Sequence, residues 1–85
     1  MLKSIYRAEN REVCAQLRAM REAAGMTQSE LSAKFGRFQS FVSTVERGMV
    51  RLDVVQTREW CTACGTTLVA FAQAVEARFE ALPKS

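Results

Sequence analysis

The chain has 85 residues, 48% of them apolar and 25% charged, with a formal net charge of +3 and no histidine. Ordinary globular composition excludes disorder, and so short a chain builds one compact core with little room for a separate catalytic module. The missing histidine removes the commonest general base and the commonest metal ligand, so no enzymatic activity, no cofactor and no metal site are expected.

The charge is uneven: residues 1–24 carry +2, residues 25–51 carry +2 and residues 52–85 carry −1. No apolar run reaches the roughly 18 residues of a membrane-crossing helix. The first residues also lack a signal-peptide pattern, so the expectation is a cytoplasmic protein without membrane contact, its three cysteines reduced.

Gly25, Gly36, Gly48 and Gly65 fall between segments of helical periodicity, and the single proline, Pro83, lies near the end of the chain. This punctuation predicts five helices and no strands. The first helix, about residues 8–24, places Val13, Leu17, Met20 and Ala24 on one face, with a basic opposite face. The preceding Leu2–Arg7 segment fits an outward-reaching arm, an extension of that helix or a frayed end equally well.

The second helix opens with Thr27-Gln28-Ser29-Glu30, a capping box, and Met26 and Leu31 stand at the positions of a hydrophobic staple. A third helix is expected from about Phe38 to Arg47, with Val42 and Val45 inward and Gln39, Ser40, Ser43 and Thr44 outward. The fourth should start at Asp53 as N-cap and run to Cys64, burying Val54, Val55, all or part of Trp60, and Cys61. The fifth, about residues 67–82, carries Leu68, Phe71, Ala72, Val75, Phe79 and Leu82 on one stripe. That stripe is broader than a small body needs, which suggests a self-association surface.

Helices two and three, joined by a short turn at Gly36, read as a helix-turn-helix whose second helix can enter the DNA major groove. In order, the chain has Arg-x-x-x-Gly-Met-Thr-Gln, Leu-Ser-x-x-Phe-Gly, Gln-Ser-Phe-Val-Ser and Glu-Arg-Gly. With these motifs the sequence resembles the Cro/repressor-type, or Xre-type, helix-turn-helix family over about residues 10–65. The resemblance implies an all-α, five-helix fold of the lambda-repressor-like DNA-binding type. The chain then divides into an N-terminal extension (1–9), a helix-turn-helix DNA-binding domain (10–65) and a C-terminal helix (66–85) whose amphipathic stripe makes it the expected dimerisation element. Phe38 stands where the family usually begins its third helix with Ser, Thr or Pro, so that helix lacks its usual N-cap.

The resemblance also implies roles. Gln28 would hydrogen-bond a phosphate and brace Gln39, the residue whose amide can pair with adenine N6 and N7. Ser40, Ser43 and Thr44 would contact base edges or phosphates, and Arg37, Arg47 and Arg51 would position the helix through phosphates. Arg21 and Glu46 match an ion pair between the first and third helices. The implied function is a homodimeric transcriptional repressor on a palindromic operator, with double-stranded DNA as partner and half-sites roughly 34 Å apart.

Two other readings stay in view. One is an antitoxin-like module whose main task is to bind a protein partner. The other is a thiol sensor built on Trp60-Cys61-Thr62-Ala63-Cys64, whose spacing is that of thioredoxin-type motifs. The sheet context of that redox chemistry is absent from the pattern, and buried cysteines acting as small apolar residues are expected instead.

Overall fold

The computed structural model describes residues 2–83, with side chains from Arg7 onward. Its elements are α1 (Leu2–Ala23), α2 (Gln28–Lys34), α3 (Phe41–Glu46), α4 (Val54–Ala63) and α5 (Leu68–Glu80), and no strand occurs among the described residues. The segment before residue 8 is helical backbone continuous with α1. Of the extension at 1–9 and the C-terminal element at 66–85, residues 1, 84 and 85 and the side chains of 2–6 lie outside the described residues.

The long α1 is the spine. It packs against α3 and α5, while α2 pairs with α3 and α4 with α5. Leu17 and Met20 of α1, Leu31 of α2, Val42 and Val45 of α3, and Trp60 and Cys61 of α4 form the buried cluster. Trp60 is fully buried, and its indole N–H donates to the Leu17 carbonyl at 3.0 Å, so the one polar atom of the largest core side chain is satisfied. Ala24, expected on the buried face of the first helix, lies exposed in the turn beyond it.

Local chemistry sets most boundaries. The Thr27 hydroxyl accepts from the Glu30 amide at 3.1 Å and the Glu30 carboxylate accepts from the Thr27 amide at 2.8 Å, the full capping box. α4 opens the same way: Asp53 accepts from the Gln56 amide, and the Gln56 side-chain oxygen accepts from the Asp53 amide. The Thr67 hydroxyl accepts from the Ala70 amide to start α5. All four glycines adopt the left-handed conformation. At Gly48 the requirement is double: φ is +79°, and a Cβ would stand 3.1 Å from Asn10 Nδ2.

Two packing expectations are corrected. Val54 and Val55 are 69% and 68% exposed, because the inward stripe of α4 is Thr57, Trp60, Cys61 and Cys64. Val55 lies opposite that stripe and Val54 at its margin in the first turn. On α5, Val75 is buried and Phe71 packs against the core, whereas Ala72 is exposed and Leu68 and Phe79 are half-buried, as is Leu82 in the turn just beyond the helix. Much of the stripe therefore covers this chain's own body, and Arg78 ties it to α1 through Gln16 and Glu12.

Candidate nucleic-acid interface

α3 starts at Phe41, three residues later than the sequence suggests, and residues 37–40 form the turn that enters it. The physical reason is the missing N-cap. Ser40 occupies the cap position with helical dihedrals and makes no side-chain cap bond. The cap comes instead from α2: the Ser32 hydroxyl, fully buried, accepts from the Val42 amide at 3.1 Å and donates to the Gln39 carbonyl at 3.2 Å. One hydroxyl thus satisfies an orphan donor of α3 and fixes the backbone at Gln39. Ser32 was missed by sequence reasoning; its only local signal is a small polar residue beside Leu31 on the inward side of α2.

The turn is pinned elsewhere as well. Gly36 has φ +65°, the Arg37 amide donates to the Ser32 carbonyl at 3.1 Å, and the Phe41 amide donates to the Phe38 carbonyl at 2.9 Å. Phe41 meets Phe35 edge-on at 5.6 Å, and the Arg37 guanidinium sits 4.4 Å above the Phe41 ring. Arg37 is therefore held over the turn by a cation–π contact, its charge still exposed.

Behind this surface lies a charged network. Arg21 donates from Nε and Nη2 to the two Glu46 carboxylate oxygens at 2.7 and 3.1 Å, and from Nη1 to the Met26 carbonyl at 2.8 Å. Both side chains are nearly inaccessible, which joins α1, the start of α2 and the end of α3 in one orientation. The Glu46 hydrogen bond, and secondarily its charge, raise the Arg21 pKa above its ordinary value against the effect of burial. Gln28 joins the network: its Nε2 donates to Glu46 Oε1 at 3.0 Å, so the structure places this amide on Glu46 and not on Gln39.

The remaining residues spread over the exposed side of the turn and α3. Gln39 and Ser40 are exposed in the turn, and Ser43 and Thr44 are half-buried on α3. The Thr44 hydroxyl donates to the Ser40 carbonyl at 2.8 Å, which leaves its lone pairs and methyl for an outside contact. Arg47 is exposed at the α3 C-cap and Arg51 is exposed in the loop before α4. The helix-turn-helix therefore gathers Arg37, Gln39, Ser40, Ser43, Thr44 and Arg47 along one short segment. Gln28 is set behind it, and Arg51 lies beyond its end.

No disulfide joins the cysteines. All three are free thiols, and Cys61 is fully buried. Burial, reinforced by neighbouring Cys61, pushes the Cys64 thiol up to about 11, and burial also raises Cys14 and Cys61. A thiol so protonated is a poor nucleophile. No cluster able to hold a metal ion occurs among the described residues, and none of their helices is long and apolar enough to cross a membrane.

Comparison with known proteins agrees with this geometry. A family described as a helix-turn-helix domain matches residues 12–74. A solved structure, the XRE-family like protein from Pseudomonas syringae pv. tomato str. DC3000, superposes with a TM-score of 0.80 at 41% identity, covering 89% of this chain and 93% of that one. The uncharacterized HTH-type transcriptional regulator y4dL of Sinorhizobium fredii (strain NBRC 101917 / NGR234) is 51% identical over 43 residues, 51% of this chain and 21% of that protein. The chain thus spans about a fifth of the length of that curated relative. The family match, the shared fold and the motif order converge: the chain belongs to the XRE-type helix-turn-helix family of DNA-binding transcription regulators.

Proposed function

We propose that the protein is a sequence-specific transcriptional regulator, a homodimeric repressor of a near-palindromic operator, and not an enzyme. The carrying observation is the turn before α3: Ser32 holds the Gln39 backbone by a buried hydrogen bond while the Gln39 and Ser40 side chains stay exposed. A pre-set backbone with a free amide is what base reading requires, because the ordering is done before DNA arrives. In this reading Gln39 pairs with adenine, and Ser40, Ser43 and Thr44 contact base edges or phosphates. Arg37, Arg47 and Arg51 contact phosphates, and Gln28 donates its remaining amide hydrogen to a phosphate while bracing Glu46.

The homodimer is supported by apolar surface left over after the core is built. Met49, Val50, Val54 and Val55 are exposed between the end of α3 and the start of α4, and Val69 is exposed on α5. A twofold partner against this surface and the outer side of α5 would set two copies of α3 on one DNA face. The description of the curated relative as a transcriptional regulator agrees with this role.

The test is fluorescence anisotropy of the full chain on duplexes selected from a randomised pool and on a scrambled duplex, at two salt concentrations, with the stoichiometry determined by analytical ultracentrifugation. The proposal predicts a selected inverted repeat bound by two chains. Equal, weak binding to every duplex, together with a stable complex with another protein, would move the protein-partner reading ahead.

A further inference from the structure

We propose that Phe38 is a base-reading residue whose ring packs on the C5-methyl of a thymine in the major groove, at the base pair beside the one read by Gln39. The inference rests on the DNA-reading role given above. It adds a residue which that role did not include and names the group it recognises.

Phe38 is 86% exposed, more than any other large apolar side chain among the described residues. Its backbone is not loose. The Phe38 carbonyl accepts from the Phe41 amide at 2.9 Å, and the next carbonyl, of Gln39, accepts from the buried Ser32 hydroxyl at 3.2 Å. The ring therefore projects from a fixed turn. An aromatic cluster lies close by, since Phe35 contacts both Phe41 and Trp60 at 5.6 and 5.9 Å, yet Phe38 takes no part in it. The Arg37 guanidinium covers the Phe41 ring, which closes that cluster on the side of the turn.

An apolar ring carried into water by that turn, between two exposed polar residues, Arg37 and Gln39, forgoes the burial its surface would otherwise gain. It gains that burial only from an apolar group on whatever the turn approaches. Phosphates and most base edges are polar, whereas the thymine C5-methyl is the apolar group the major groove presents. Insertion between base pairs is a habit of minor-groove binders and does not suit a turn that leads a helix into the major groove. Phe38 directly precedes Gln39, so its ring falls on a pair adjacent to the adenine contact.

The experiment is a methyl–ring cycle. Each thymine of the duplex selected by the wild-type chain is replaced in turn by deoxyuridine, which lacks only the methyl, and binding of wild type, Phe38→Ala and Phe38→Leu is measured by anisotropy. At one thymine per half-site the wild type should lose about fourfold per half-site, the size of one methyl taken out of contact. At the same thymine Phe38→Ala should lose nothing further and Phe38→Leu an intermediate amount. Because the ring is exposed, the melting temperature of Phe38→Ala should stay that of the wild type, which separates the effect from misfolding. If no methyl matters to the wild type, or if the same methyl matters equally to Phe38→Ala, the inference is overturned while the DNA-reading role stands. If the wild type selects no sequence at all, the DNA-reading role fails and this inference fails with it.

Discussion

Replacing Ser32 with alanine removes the cap that α2 lends to α3, and the structure fixes how much that should matter. Ser32 and Val42 are both fully buried, so once the hydroxyl is gone the Val42 amide has no partner, and the void left by one oxygen is too small for a water molecule. An unsatisfied buried donor destabilises by about 1–3 kcal/mol. The Gln39 carbonyl belongs to an exposed residue and can turn to water, so its lost bond adds little. Against this, alanine is the better helix former by roughly 0.5 kcal/mol. The net expectation is a loss of about 1.5 kcal/mol, a fall in Tm of roughly 6–12 °C for a domain of this size. Urea and thermal unfolding measure it, and hydrogen exchange at the Val42 amide locates it. Ser40→Ala is the control: Ser40 sits at the cap position but makes no side-chain cap bond, so its removal should stay within about 0.5 kcal/mol. If Ser32→Ala is as neutral as Ser40→Ala, the capping assignment is wrong.

Three other outcomes follow from the geometry. Glu46→Ala strands the buried Arg21 guanidinium and should destabilise by about 3–5 kcal/mol, whereas the Arg21→Met, Glu46→Leu double variant should lose less than Glu46→Ala alone; a double variant worse than the single one in urea titrations would contradict the pairing. The hydrogen bond from the Thr27 amide, helped by the neighbouring Thr27 side chain, holds the Glu30 carboxyl below its ordinary range. Since the folded pKa is the lower one, the contribution is present above the unfolded value of about 4.3 and fades as the pH falls through the folded value. Glu30→Gln should therefore flatten the acid limb of a Tm-against-pH curve, and an unchanged limb would count against the capping contact. With Cys64 pushed up to about 11, folded protein at pH 8 should alkylate at this position on the order of a hundredfold more slowly than urea-unfolded protein. Fast labelling of the native chain, or a change in DNA affinity after mild oxidation that Cys61→Ser abolishes, would revive the thiol-sensing reading.

What could be read in the sequence was local. The Thr27–Glu30 box, the Asp53 cap and the closing glycines are each complete within four residues, and the structure repeats them. The Arg21–Glu46 pair, 25 residues apart, was legible only through the family resemblance. The start of α3 was not legible, because its cap is a hydroxyl from another helix, ten residues before the amide it satisfies. The valines at the head of α4 misled for a related reason. Apolar character says that a side chain would gain from burial, but only the phase set by Thr57, Trp60 and Cys61 decides which side of the helix is covered. Gln28 shows the same limit within the site, since its amide is drawn to Glu46 by a network assembled from three helices.

Everything proposed for the DNA surface turns on whether the exposed side chain of Gln39, on its pinned backbone, reads a base. The most direct measurement is the affinity of Gln39→Ala for the selected duplex and for a scrambled duplex, beside wild type at the same salt. If Gln39 is a base reader, specific binding falls by about 1–3 kcal/mol while binding to the scrambled duplex is unchanged. Equal losses on both duplexes, or none on either, would contradict it.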